Sequence, residues 1–303
     1  MIKILSIPFL QAIRETAAAR LRLCIGRPNS RLRPMPALPD KFLAAMIAVL
    51  PLPGSPRYAG DDDQILAQAL SDLEHYKQAG ADAIVLENSH DLPYVKPPLP
   101  TPAIDLMKRI AREVRARFQG RIGIQMLEAA NDTALEIAHE ARLDFLRVEG
   151  YVFAHVGGAG IIEGCAGRLL RKRAELGCEH IKVFADVKKK HCSHALTADL
   201  DILDEVKQAE FFLVEGIIVT GARTTEPPKS AEIRRVRKQA GVPVVIGSGM
   251  TSQNIRYYFP LADGFIVGST FRENGKFLGA LDPGRLKTFM RAFQQLRDSR
   301  RRM

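Results

Sequence analysis

Residues 242–269, V-P-V-V-I-G-S-G-M-T-S-Q-N-I-R-Y-Y-F-P-L-A-D-G-F-I-V-G-S, decide the fold. Residues 242–246 are β-branched and end at Gly247-Ser248-Gly249, and a second apolar run, 264–267, ends at Gly268-Ser269. Residues 251–259 between them are predicted to be helical, so the stretch is a strand, turn, helix, strand, turn unit. Glycines at strand ends let the backbone approach a ligand closely. A helix starting after such a turn presents unpaired N–H groups that suit a phosphate dianion. One G-S-G alone reads better as a tight connection, but two such turns on adjacent parallel strands can share one anion. Gly247, Ser248, Gly249, Gly268 and Ser269 are therefore the candidate phosphate-binding residues. If these strands are the last two of an eight-stranded barrel, they lie where that fold commonly holds a substrate phosphate.

Working back along the chain, apolar runs at 46–50, 83–86, 122–126, 145–148, 181–187 and 216–219 read as strands. They alternate with helical patterns at 64–78, 103–118, 132–141, 163–176, 199–209 and 230–240, and a closing helix covers 283–297. Eight strands alternating with eight helices predict a parallel closed sheet, the (β/α)8 TIM barrel, over residues 44–298 with a basic tail at 299–303. Such a barrel uses about 250 residues, so the 303-residue chain is one domain plus an extension.

The net charge of +10 is unevenly spread. Residues 1–43 hold eight Lys/Arg against two acidic residues, which leaves +4 on the 260 residues that follow. A nearly neutral barrel argues against nucleic acid as a partner, because a phosphate backbone needs a clustered basic face. Residues 1–43 are Arg-rich and acid-poor, with Ile2, Leu5, Phe9 and Ile13 at helical spacing, like an amphipathic organelle transit peptide. Pro28, Pro34, Pro36 and Pro39 spoil regular structure there, and Met46 offers an alternative start. On either reading the segment contributes no core contacts, and a chain starting at Met46 is expected to keep its melting temperature. No apolar run approaches the ~20 residues that cross a bilayer. Four cysteines show no C-x-x-C spacing and no secretory signal, so reduced thiols are expected. The expected location is cytoplasmic, or mitochondrial if the source is eukaryotic and residues 1–43 are a transit peptide.

Side chains at the C-terminal ends of barrel strands face the catalytic mouth. Glu87, Gln125, Arg147, Glu149, Asp186, Lys188 and Thr220 fall there, and the polar loop 87–94 adds Asn88 and Asp91. Strand alternation puts Arg147 with Glu149, and Asp186 with Lys188, on one face each, taken to be inward. Carboxylates beside Lys or Arg in a recess are the usual material of acid/base catalysis or metal capture, and also of structural ion pairs. Glu87 and Asp186 are the acid/base candidates, and Lys188 and Arg147 would offset developing negative charge. His191-Cys192-Ser193-His194 lacks a fourth metal ligand, and residues 188–194 read instead as a cationic lid over an anionic substrate or as a solvated basic loop. No metal site and no cofactor are predicted, although the carboxylates leave room for a divalent metal. No G-x-x-x-x-G-K-[ST] or G-x-S-x-G occurs.

Six motifs together resemble the BtpA/SgcQ family over residues 44–298. They are L-P-G-S-P (52–56), E-N-S-H-D-L-P-Y (87–94), F-A-D-V-K-K-K-H-C-S-H-A (184–195), I-V-T-G (218–221), V-I-G-S-G (245–249) and A-D-G-F-I-V-G-S (262–269). The resemblance implies a barrel of the ribulose-phosphate-binding type and, for part of the family, a role in photosystem I biogenesis. The runs 209–213 and 144–156 are similar to a branch found also outside phototrophs, including mitochondrial members. Four positions depart from the family pattern. Ala48 stands where a strand-one histidine is usual, Gly158-Ala159 replaces an acidic pair, and Thr225 replaces the second glycine of a T-G-x-x-T-G turn. The expected function is an enzyme acting on a phosphorylated small molecule, with a homo-oligomer as the expected assembly. The alternative is a non-catalytic assembly or stability factor.

Overall fold

In the computed structural model the described residues are 38–302, so the transit-peptide reading falls almost wholly on residues outside them. In chain order they form β1 (Phe42–Ala48), α1 (Asp62–Gln78), β2 (Ala83–Glu87), α2 (Thr101–Arg117), β3 (Arg121–Gln125), α3 (Asn131–Glu140) and β4 (Phe145–Val148). Then come β5 (His155–Gly157), β6 (Gly160–Ile162), α4 (Ala166–Glu175), β7 (Lys182–Val187), α5 (Ile202–Phe211), β8 (Gly216–Val219) and α6 (Ser230–Gln239). The chain ends with β9 (Val244–Ile246), α7 (Ile255–Tyr258), β10 (Gly264–Val267) and α8 (Pro283–Arg301). Eight strands close in the order β1-β10-β9-β8-β7-β4-β3-β2, each parallel to its neighbours, as the strand count predicts. Among the described residues no helix is long and apolar enough to cross a membrane.

Alternation sorts the strand residues into two cores. Leu43, Ala45 and Ile47 of β1 face the helices and join the large outer core, whereas Phe42, Ala44 and Met46 face inward with Val85, Phe145, Phe184, Ile218, Val245 and Ile266. The lower barrel is filled by pairing large with absent side chains. A Cβ on Gly123, Gly216 or Gly264 would fall within 2.5 Å of the rings of Phe145, Phe184 or Phe42 respectively. Three of the helices start at acidic caps. Asp61 and Asp282 accept from first-turn N–H groups, Asp201 and Asp204 form a reciprocal box, and Pro283 opens α8.

Three expectations need correction. First, β1 begins at Phe42 rather than at residue 46, and Lys41, Phe42 and Leu43 are buried, so the non-core segment ends before them. The β-branched signal at 46–50 misplaced the strand because β1 opens with Phe-Leu-Ala-Ala, which has no β-branched residue and two alanines of low β propensity, and is held by pairing to β2 and β10. Second, residues 155–162 form an antiparallel hairpin, β5–β6, instead of loose chain before α4. Third, α7 is a single turn starting six residues after Gly249. The intervening turn is closed by the Thr251 N–H donating to Asn254 Oδ1 and the Asn254 N–H to Thr251 Oγ1.

Candidate functional site at the barrel mouth

Above the inner core the C-terminal strand ends carry charge. Arg147 on β4 donates from Nε and Nη2 to the two carboxylate oxygens of Asp186 on β7, at 2.9 and 3.0 Å, and its Nη1 lies 3.9 Å from Glu87 Oε2 on β2. Arg147 is 2% exposed. Burial works against its charge, but Asp186 and Glu87 outweigh that cost and hold its pKa above the ordinary value. Glu87 also accepts from the Ser89 hydroxyl at 2.7 Å. Beside this group, Gln125 on β3 donates to Glu149 Oε1 at 2.8 Å, and Lys189 bridges Glu149 and Glu128 at 3.1 and 3.2 Å. Burial raises the Glu149 pKa, partly countered by Lys189.

The three lysines after β7 go three ways. Lys188 has φ +44°, which breaks the alternation that would have turned it inward, and its Nζ lies 3.3 Å from the Thr197 carbonyl. It therefore sits away from Asp186, near Glu205 of α5, whose carboxyl burial pushes up to about 7. Lys189 and Lys190 face the mouth instead. Lys190 is half-buried with no hydrogen-bond or ion partner among the described residues, and burial together with the Arg147 charge pushes its pKa down to about 8. Sequence reasoning missed Glu128 and Thr224 as mouth residues, and it placed Lys189 and Lys190 in the 188–194 lid without singling either out. The K-K-K triplet was the available signal, but choosing among its members needed the strand to end at Val187.

Two cavities open at this mouth. The larger, about 400 Å³, is lined by Glu87, Gln125, Arg147, Glu149, Lys189 and Lys190 among others. The smaller is a narrow cleft between the ends of β9 and β10, bounded by Gly247, Ser248, Gly249, Gly268, Ser269 and Thr270. Lys190, Thr224 and Phe277 line both. The N–H groups of Gly249, Met250, Gly268, Ser269 and Thr270 have no acceptor among the described residues, so the first turn and the start of the 3-10 turn Ser269–Phe271 leave donors free beside the cleft. Positive φ falls at Gly249 (+74°), where a Cβ would lie 2.2 Å from the Pro227 nitrogen; Gly268 has φ −131°. The Ser248 hydroxyl accepts from the Gly221 N–H and donates to the Glu226 carbonyl, both at 3.0 Å, so it ties two loops together.

Several predicted mouth residues build the walls. Asn88 exchanges bonds with the backbone of Leu127, and Asp91 accepts from the Leu52 N–H at 2.7 Å. His191 Nε2 accepts from the Thr224 N–H at 3.0 Å, which requires an unprotonated Nε2; burial and then the neighbouring lysines lower its pKa. Gln125 Oε1 and Thr220 Oγ1 are buried without partners among the described residues. No three His, Cys, Asp or Glu side chains among the described residues gather closely enough to hold a metal ion.

Eight parallel strands closed into a barrel, with charged residues at their C-terminal ends, define a (β/α)8 barrel. Residues 39–295 match the model of the BtpA family, and the chain belongs to that family. An uncharacterized mitochondrial protein of Caenorhabditis elegans is 40% identical over 257 residues, 83% of this chain and 92% of the relative. The photosystem I biogenesis protein BtpA of Synechocystis sp. is 30% identical over 253 residues, 82% of this chain and 87% of the relative. Among solved structures, thiamine phosphate pyrophosphorylase from Pyrococcus furiosus superposes with a TM-score of 0.53 at 12% identity, over 84% of this chain and 96% of its own, a likeness of fold alone.

Proposed function

We propose that this BtpA-family barrel is an enzyme acting on a phosphorylated small molecule. The phosphate lies in the β9–β10 cleft and the reacting part of the substrate in the charged cavity. The observation that carries this reading is the junction of the two cavities. Unpaired backbone donors end one of them, ionisable side chains fill the other, and Lys190, Thr224 and Phe277 belong to both. The name of the Pyrococcus furiosus neighbour includes a phosphate, which agrees with the reading. Both Asp186 oxygens are occupied by Arg147, so Asp186 orients the guanidinium. Glu87, held by one hydroxyl and a 3.9 Å approach to Arg147, is then the group free to move a proton.

Screening the purified protein for thermal stabilisation by phosphorylated metabolites identifies the ligand class, because selective binding to the folded state raises the melting temperature. With a substrate in hand, Glu87→Gln is expected to lower kcat by about 100-fold while ligand binding persists. Unchanged turnover would remove Glu87 from the chemistry.

The similarity to the Synechocystis photosystem I biogenesis protein favours a second reading, a non-catalytic assembly or stability factor that retains the barrel. If deletion of the gene lowers the abundance of a complex and Glu87→Ala restores it fully, this second reading holds and the first fails.

A further inference from the structure

Lys190 is unlike the other cations of the mouth. Arg147 is spent on Asp186, Lys189 on Glu128 and Glu149, and Lys188 is turned outward onto Thr197. The Lys190 side chain alone among these four has no partner among the described residues, and it lines both the cleft and the cavity. An amine in that position reaches a carbon close to a phosphate held by the β9–β10 turns. The charges around it also favour the neutral amine. Burial acts first and the fixed Arg147 charge second; Glu87 is the strongest of the opposing carboxylates, while Asp186 and Glu149, which also favour the ammonium, are matched by Arg147 and Lys189. A lysine kept as a phosphate counter-ion would instead need its charge.

Resting on the phosphate reading of this same site, we infer that Lys190 is a nucleophile and that the substrates are phosphorylated aldehydes or ketones. The unprotonated Lys190 Nζ adds to the carbonyl carbon and forms an N–C bond, while the carbonyl oxygen gains a proton and the nitrogen gives one up, leaving a neutral carbinolamine. A second proton converts its hydroxyl to departing water, and the nitrogen lone pair forms the C=N bond. The balance is one amine, one carbonyl and one proton in, and one iminium and one water out. The iminium draws electrons from an adjacent C–H or C–C bond, and Glu87 on the cavity wall is placed to carry the proton released or required.

Pyridoxal 5′-phosphate, an aldehyde bearing a phosphate, probes this directly in the full chain. The protein is incubated briefly with the reagent, the imine is reduced with borohydride, and the labelled lysines are mapped by mass spectrometry. At pH 8 an amine of pKa about 8 is roughly half unprotonated and an ordinary lysine under about 1%, so Lys190 should label at least about tenfold faster than any other lysine. Its labelling rate should level off just above pH 8, inorganic phosphate should protect it, and pyridoxal without the phosphate should show less preference. Lys190→Arg, checked by its melting curve, should abolish the selective label. Uniform labelling, or a Lys190 rate still climbing at pH 10, overturns the inference. Selective labelling by pyridoxal and the phosphate ester alike, without protection by phosphate, keeps the amine chemistry and removes the phosphate cleft. Phosphate binding by calorimetry without Lys190 selectivity does the reverse.

Discussion

Arg147 ties three strands together at the mouth, with a two-pronged bond to Asp186 on β7 and an approach of 3.9 Å to Glu87 on β2. Replacing it with alanine leaves the fully buried Asp186 carboxylate uncompensated. Arg147→Ala is therefore expected to lose about 3–5 kcal/mol in urea unfolding. Arg147→Lys should recover only part of this, because an ammonium cannot reproduce the fork. A loss within experimental error would show the pair to be dispensable for the fold. At this scale the inward positions of Arg147, Asp186, Glu87 and Gln125 were legible, since period-two alternation carries them from the apolar residues below. Lys188 was not, because a single residue with φ +44° at the strand end turns the next three side chains, and no propensity marks that position in a run of three lysines.

The element missed in the sequence is the β5–β6 hairpin, and it supports the loop that carries Lys189 and Lys190. Val156 and Ser193 exchange both backbone bonds at 3.0 and 2.8 Å, and a Cβ on Gly157 would fall 2.3 Å from Glu128 Oε1. Two three-residue strands around a Gly-Gly-Ala turn give too little alternation to read as a hairpin. His155, the first residue of β5, is buried beside Lys189 and His194 with its Nε2 unpartnered among the described residues. Burial, reinforced by Lys189, lowers its pKa to about 4, against an unfolded value near 6.5. Between those values the unfolded chain binds more protons than the native one, so His155 makes stability fall as pH drops from about 6.5 to 4. His90, lowered to about 4 by burial and Arg272, adds to the same slope. The variant His155→Phe, which cannot titrate, should lose less stability than wild type across that window when both are unfolded in urea. Parallel curves would place the acid sensitivity elsewhere.

For the whole molecule, closure depends on β1, which pairs with β2 on one side and β10 on the other. A chain starting at Leu38 should melt within about 2 °C of the full chain, as expected when no core group is removed. A chain starting at Met46 loses Phe42–Ala45, whose partners on β10 are Gly264–Val267, and should not unfold cooperatively. Similar melting of all three would contradict β1 as the closing strand. The barrel itself was readable from eight apolar runs alternating with helical patterns, because parallel strands buried on both faces keep that signature. The donors at the cleft were only half readable. Glycine spacing located the turns, but the helix expected from residue 251 begins only at Ile255, so the unpaired N–H groups of Gly249 and Met250 belong to a loop and not to its first turn.

The central claim is that these turns bind a phosphate through their backbone. Its most direct test is calorimetric titration of inorganic phosphate into wild type, Gly268→Ala and Gly268→Val, each with a melting curve. The nearest atoms to a Cβ at residue 268 belong to the Met46 side chain, Sδ at 3.1 Å and Cβ at 3.2 Å, so a shift of Met46 accommodates it while the cleft narrows. Saturable binding by wild type is predicted, weakened by about tenfold or more in Gly268→Val, a difference of about 1.4 kcal/mol, with Gly268→Ala in between. Equal affinity in all three folded proteins, or no binding by wild type, would contradict the account.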